Sequence, residues 1–134
     1  MTMSIFDVSG KAMSAQMVRL NATASNLANA GTVAGSAETA YRSRRPIFAA
    51  ALDQASSARA TVEVERVVTT DLEPTRRLEP GHPLADKDGY VWEAAVDSNA
   101  ELVDMMEAAR QYQNNVEVLR TAKGLMMSTL RLGQ

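Results

Sequence analysis

The chain of 134 residues has room for one domain, with 46% hydrophobic residues, a formal net charge of −2 and no cysteine. These values exclude wholesale disorder, disulfides and thiolate chemistry, and they provide no overall field that would favour nucleic acid or anionic lipid. The aromatic content of 4% is low for a compact core, which favours long elements packed through Ala, Val, Met and Leu.

The first 31 residues carry apolar side chains at steps of three and four, the spacing of an amphipathic helix with a heptad seam. Ser4 is suited to cap this helix and Gly31 to end it. The helix would be about 40 Å long. Its predicted seam consists of Met3, Phe6, Gly10, Met13, Met17, Leu20, Ala24 and Leu27.

The back of the same helix is amidic instead of charged, which is unusual for a solvated face. Two interpretations stay open. Either another surface packs against it, or the helix frays toward Gly31, because Asn and Ser favour caps and turns over helix interiors. The residues concerned are Asn21, Ser25, Asn26 and Asn29.

Residues 32–97 differ in composition, since they hold all four prolines and none of the eight methionines. The alternating, β-branched segment 61–70 predicts a half-buried strand, and Tyr90–Trp92 after Asp88-Gly89 predicts another entered from a turn. Segment 41–49 is a weaker candidate, limited to a sheet edge by its proline. Segment 79–83 predicts a shaped loop between strands. We therefore expect a small β-rich lobe here.

Residues Ser98 to Leu132 predict a second heptad helix, about 50 Å long, with acids in its first turns and bases in its last. Ser98 with Glu101 resembles a capping box, and Gly133 is suited to end the helix. An ordinary core helix is the alternative, although few are this long. The predicted seam consists of Leu102, Met105, Ala109, Tyr112, Val116, Leu119, Lys123, Met126 and Leu130.

The sequence contains no group of residues suited to catalysis or metal binding. His82 is the single histidine, so neither a histidine metal cluster nor a Ser/His/Asp triad can form without it. Asp86 and Asp88 are too few for an oxygen-lined cation loop and are typical of a turn. The arginines at 42–45 and 76–77 have acids nearby, which disfavours phosphate or nucleic-acid binding. We expect no catalytic residue, no cofactor and no metal.

The expected fold class is therefore mainly α with a small β insert, in which long N- and C-terminal helices form a coiled-coil-like pair. We divide the chain into an N-terminal helix at 1–31, a β-rich insert at 32–97 and a C-terminal helix at 98–134. We expect the two seams to pack against each other within one subunit and to continue into neighbours. No apolar run approaches the roughly 20 residues of a membrane span, and no secretory signal is evident.

Three stretches of the sequence resemble one known family. Ser25-Asn26-Leu27-Ala28-Asn29 is similar to the N-terminal signature of the axial proteins of the bacterial flagellar rod and hook. The loop 79–91 and the helical stretches within 101–127 resemble the proximal-rod members of that family. The similarity covers both ends of the chain and half of the insert.

The resemblance implies a structural subunit of the basal-body rod, the shaft that carries torque through the periplasm, exported by the flagellar type III apparatus without a cleaved signal. The implied partners are copies of the chain and other rod proteins. On the proximal side these neighbours include the MS ring and the export gate, and on the distal side the distal rod. Neither binding to nucleic acid nor insertion into a membrane is implied. The expected assembly interface comprises Phe6, Met13, Met17, Leu20, Asn21, Ser25, Asn26, Leu27, Asn29, Leu102, Met105, Ala109, Tyr112, Val116, Leu119, Lys123, Met126 and Leu130.

Two other functions are the alternatives. The chain could be a helical adaptor that binds one regulatory partner through its seams, or it could be an enzyme. Stoichiometry separates them, because a rod subunit forms open helical assemblies, an adaptor closes at a fixed number, and an enzyme turns over a substrate as a monomer.

Overall fold

A computed structural model describes residues 5–52 and 60–133. It confirms two long helices with a small antiparallel β region between them. The expectations for Met3 and Ser4 lie outside the described residues. The elements in chain order are α1 (Ile5–Asn29), β1 (Val33–Ala34), β2 (Arg44–Leu52), β3 (Ala60–Thr69), β4 (Thr75–Leu78), β5 (Tyr90–Glu93) and α2 (Ser98–Leu132).

The two helices pack antiparallel. Arg19, in the C-terminal half of α1, lies 3.2 Å from Asp104 near the start of α2, whereas Ile5 shares a groove with Ala122 near its other end. This register brings Ala15, 2% exposed, close to Ala108, 0% exposed. Small side chains at the crossing let the helix backbones approach each other closely.

The strands form two antiparallel sheets. One has the order β1-β5-β4, and the other is the β2-β3 pair, with an irregularity between Ile47 and Phe48. The three predicted strands are confirmed within three residues at each end, and Pro46 lies in a strand that has only one neighbour. β1 and β4 were not predicted, because β1 has two residues and β4, with two arginines, is exposed throughout.

The connection from β4 to β5 confirms the predicted turn at Asp86–Gly89. The Asp86 carboxylate accepts hydrogen bonds from the backbone N–H groups of Asp88 and Tyr90, at 2.9 and 2.8 Å. His82 also serves the loop, because its Nδ1 accepts a hydrogen bond from the Leu84 N–H at 3.1 Å. The polar side chains of this loop therefore hold backbone in place.

Gly89 gives the first testable prediction. Its φ is +81°, and a Cβ built there would lie 3.1 Å from Pro80 Cγ. Gly89→Ala should therefore lower the free energy of unfolding by about 1–2 kcal/mol, measured by urea denaturation. Gly81→Ala in the same loop is the matched control, since nothing lies within 4 Å of the added atom. Equal effects of the two variants would contradict this account of Gly89.

The second helix has the predicted bounds but a different cap. The cap is Asp97, whose side chain accepts hydrogen bonds from the N–H groups of Asn99 and Ala100. The predicted capping box of Ser98 and Glu101 is wrong, because Glu101 is turned inward and is 2% exposed. Gly133 ends the helix, donating its N–H to Thr129 O at 3.2 Å.

Candidate functional site

The described residues contain no cluster of side chains suited to hold a metal ion. In residues 5–52 and 60–133, no three acidic or histidine side chains come close enough to hold a metal ion together. Neither described helix combines the length and apolar composition needed to cross a membrane.

Asn26 joins α1 to the β region. Its Nδ2 donates to Arg44 O at 2.9 Å, and its Oδ1 accepts from Arg44 N–H and from the Tyr41 hydroxyl, both at 2.8 Å. The side-chain amide thus pairs with both backbone groups of one residue, as a neighbouring strand would. Asn26 is 0% exposed, because the chain itself uses its side chain, so its expected part in assembly would be to hold α1 in position.

The neighbouring polar residues resolve the two interpretations of the amidic face. Ser25 Oγ lies 3.2 Å from the Tyr41 hydroxyl, and Asn29 Nδ2 donates to Ser25 O at 2.8 Å. The helix continues to Asn29 instead of fraying earlier, because the chain's own insert covers part of this face. Asn21, in contrast, is exposed.

Ion pairs occupy the inner side of the helix pair. Lys11 reaches Glu63 on β3 at 2.6 Å, and Arg19 reaches Asp104 and Glu107 on α2 at 3.2 and 3.5 Å. Two of the three charged residues in α1 are thus directed toward their own chain, and the third, Asp7, lies in the first turn.

The outer face of α1 carries the predicted apolar seam. Met17 precedes Asn26 by nine residues, which is two and a half helical turns, so it lies on the opposite face. It is 44% exposed, and Gly10 and Ala24 beside it are also exposed. The outer face lacks charge from Gly10 to Ala28. We call Gly10, Met13, Met17, Leu20, Ala24 and Leu27 the outer stripe.

This arrangement corrects the expected pairing of the two seams within one subunit. The helices do pair, but α1 turns its small and polar face inward, burying Ser9, Ala15, Thr23 and Asn26. On α2 the buried residues are Glu101 and Ala108, each one position before a predicted seam residue. Small side chains permit close helix contact, and Asn26 fixes the rotation of α1, so the larger apolar side chains of α1 lie further out.

The remaining predicted interface residues divide between half-buried and exposed. On α1, Phe6, Met13, Leu20, Ser25, Leu27 and Asn29 are half-buried. On α2, the half-buried ones are Met105, Ala109, Tyr112, Val116 and Leu119. Those that are exposed on α2 are Leu102, Lys123, Met126 and Leu130.

The C-terminal part of α2 is exposed because this helix has 35 residues and α1 has 25. The difference corresponds to about 15 Å of helix. Ile5 lies beside Ala122 and Leu125, so the seam positions beyond them have little of α1 to face. We call residues 123–132 the overhang. Its exposed apolar side chains are Leu125, Met126, Met127, Leu130 and Leu132.

The charges on the three-stranded sheet are paired locally. Arg77 donates to Glu79 at 2.9 Å and also to Glu93. The hydrogen bond from Arg77 holds the pKa of the Glu79 carboxyl below its ordinary value, and the same bond raises the pKa of Arg77. Arg76 lies over the Tyr90 ring at 4.2 Å. These basic residues therefore have partners within the sheet.

Comparison with known proteins gives consistent matches at both ends of the chain. A family model described as flagella basal body rod protein matches residues 6–35, which contain most of α1. A model described as flagellar basal body rod FlgEFG protein C-terminal matches residues 87–132, which contain β5 and α2.

Individual relatives match over nearly the whole length. The flagellar basal-body rod protein FlgC of Salmonella typhimurium is 45% identical over 134 residues, covering 98% of each chain. FlgC of Yersinia enterocolitica is 43% identical over 132 residues, and FlgC of Buchnera aphidicola subsp. Schizaphis graminum is 38% identical over 136 residues, each with 98% coverage of both chains. The resemblance inferred from the sequence is confirmed, and the chain belongs to the FlgC family of flagellar basal-body rod proteins.

Proposed function

We propose that the chain is a structural subunit of the proximal rod of the bacterial flagellar basal body, polymerising through its terminal helices into the torque-transmitting shaft. The observation that carries this proposal is the outer stripe, an uncharged helix face directed away from the chain's own core. A helix on the surface of a monomer normally presents charged or polar residues there.

Covering this stripe gives assembly its driving force. Apolar surface removed from water contributes about 25 cal/mol per Å². Met17 and its neighbours in the outer stripe run along most of α1, so a helix of an adjacent subunit can lie against them. Because Lys11 and Arg19 are held by ion pairs within the chain, burying the stripe requires no desolvation of either charge.

The overhang provides a second surface at one end of the molecule. Its seam residues Met126 and Leu130 are exposed, and a different part of the next subunit must cover them. An interface between two different surfaces of identical or related subunits is heterologous, and repeating it without ring closure generates a helical filament. The geometry therefore fits an open assembly better than a closed adaptor complex.

In this proposal the protein is not an enzyme, and the β region serves as a spacer outside the helical layer. Its neighbours are copies of itself and other rod proteins, with the MS ring and export gate on the proximal side and the distal rod on the other. It reaches this place through the flagellar type III apparatus without signal cleavage.

A pair of charge substitutions tests the outer stripe. Met17→Glu should reduce incorporation into basal bodies at least about tenfold, because a carboxylate would be buried in the interface. The stability of the monomer should change by no more than about 0.5 kcal/mol, since the site is exposed and Glu suits a helix. The measurement is immunoblotting of purified basal bodies, together with swimming in soft agar.

Val62→Glu is the matched control, because Val62 on β3 is 43% exposed, close to the value for Met17, and lies in the proposed spacer. This variant should assemble normally. Normal incorporation of Met17→Glu, or the appearance of a soluble complex with a fixed number of chains in place of rods, would contradict the proposed function.

A further inference from the structure

An acidic cavity of about 480 Å³ lies where the start of α2 meets the base of the β region. It is separate from the outer stripe and from the overhang. Its polar lining consists of Ser43, Arg45, Thr70, Asp71, Asp97 and Glu101. The Ser43 and Thr70 hydroxyls are 2.7 Å apart and hydrogen-bonded to each other, so the charged side chains determine what the cavity can bind.

Glu101 is the unusual member of this group. It is 2% exposed, and its Oε2 is a buried atom without a hydrogen-bond partner. Its Oε1 lies 3.8 Å from Arg45 Nη2, while the other terminal nitrogen of Arg45 reaches Asp104 at 3.3 Å. Arg45 therefore divides its charge between two carboxylates and leaves Glu101 incompletely paired. A buried carboxylate oxygen in this state has an unused capacity to accept a hydrogen bond, and a charged donor would satisfy it most strongly.

The balance of charge in the cavity favours a cation. One arginine faces the three carboxylates of Asp71, Asp97 and Glu101. Asp97 is committed to the cap of α2, which leaves Asp71 at the exposed rim and Glu101 at the buried end. This arrangement suits a side chain that enters from outside, passes a carboxylate at the rim and ends in a positively charged donor group.

We propose that an arginine or lysine side chain of the adjacent rod subunit enters this cavity and donates a hydrogen bond to Glu101 Oε2. The inference rests on the proposed function, since it names a contact between subunits. The charge distribution of α2 supports a head-to-tail contact of this kind. The acids Asp97, Glu101 and Asp104 lie at one end, and the bases Lys123 and Arg131 lie on the overhang at the other.

The first test replaces the carboxylate by its neutral isostere. Glu101→Gln should leave the thermal stability of the full-length monomer unchanged or raise it, because a buried, poorly paired charge is removed. The same variant should lower incorporation into basal bodies about tenfold or more, since a charge-assisted contact is lost. Glu117→Gln is the control, because Glu117 is in the same helix, is exposed, and pairs with Arg120 of its own chain.

The second test identifies the occupant. A photo-crosslinking amino acid, p-benzoylphenylalanine, in place of the exposed rim residue Asp71 should link the chain to a rod subunit within assembled basal bodies. Mass spectrometry of peptides cleaved after acidic residues should assign the crosslink to a residue directly beside an arginine or lysine of the neighbouring subunit. A crosslinked residue without an adjacent basic residue would overturn the inference, as would normal incorporation of Glu101→Gln.

These results separate the inference from the proposed function. If Glu101→Gln assembles as well as the unsubstituted chain, the cavity contact is wrong and the rod function stands. If the unsubstituted chain is itself missing from purified basal bodies, the proposed function is wrong, and the inference falls with it.

Discussion

Replacing Asn26 by alanine is expected to lower the free energy of unfolding by about 3 kcal/mol or more. The substitution removes hydrogen bonds to Arg44 N–H, Arg44 O and the Tyr41 hydroxyl together. It leaves the backbone groups of Arg44 without these partners at a site where Asn26 was fully buried. A buried polar group without a hydrogen-bond partner lowers stability by more than an average hydrogen bond raises it. Urea denaturation of dilute monomer, followed by circular dichroism, measures the change.

Asn21→Ala is the matched control for this prediction. It makes the same chemical change in the same helix at an exposed position, where alanine's higher helix propensity should make the variant neutral or slightly more stable. Similar losses of stability in both variants would contradict the role assigned to Asn26. That result would indicate a general effect of amide side chains on the helix instead of a specific clamp on Arg44.

The second large effect is expected at the overhang. Replacing Met126 and Leu130 together by glutamate should abolish incorporation into basal bodies and swimming, because two carboxylates would have to be buried in one interface. The fold of the monomer should not change, since both side chains are exposed in the isolated chain. Circular dichroism of the monomer, immunoblots of basal bodies and soft-agar swimming measure these outcomes.

Ser128→Glu provides the control within the overhang. Ser128 lies between the two seam positions in sequence but about half a turn away from both on the helix. It should be tolerated if one face of the overhang is covered. Normal rods from the Met126/Leu130 double variant would contradict the assembly role of this segment. Loss of assembly in the Ser128 variant alone would show that the wrong face had been identified.

Periodicity predicted the elements of the fold well. The steps of three and four around Tyr112 and Leu119 predicted a helix with the bounds that α2 has, and β-branched alternation predicted β3 within one residue at each end. These signals are local, because the spacing of apolar residues that identifies a helix or a strand repeats within a short segment of the chain. A motif with a specific sequence, Ser25 to Asn29, identified the family.

Periodicity could not predict which face of α1 lies inside. The apolar stripe through Met17 is the expected inner face of an isolated helix, yet it lies outside, because Asn26 and small residues such as Ala15 pack inward. The inward position of Asn26 depends on its hydrogen bonds to the backbone of Arg44, eighteen residues further along the chain. Backbone groups are the same in every residue except proline, so the sequence does not indicate this partner. The inward turn of Glu101 was missed for a similar reason, since its cationic neighbour Arg45 comes from the β region. The available signal was the cluster of amide residues on one face of α1, where charged side chains would be expected on a solvated helix.

The central claim is that neighbouring subunits cover the outer stripe of α1 in the rod. Because the chain has no cysteine, a single Met17→Cys substitution gives a unique thiol whose reaction with a maleimide reports exposure. We expect rapid labelling in the monomer and labelling at least about tenfold slower in purified basal bodies, while Val62→Cys reacts rapidly in both. Equally rapid labelling of Met17→Cys in the monomer and in basal bodies that contain the protein would contradict this claim.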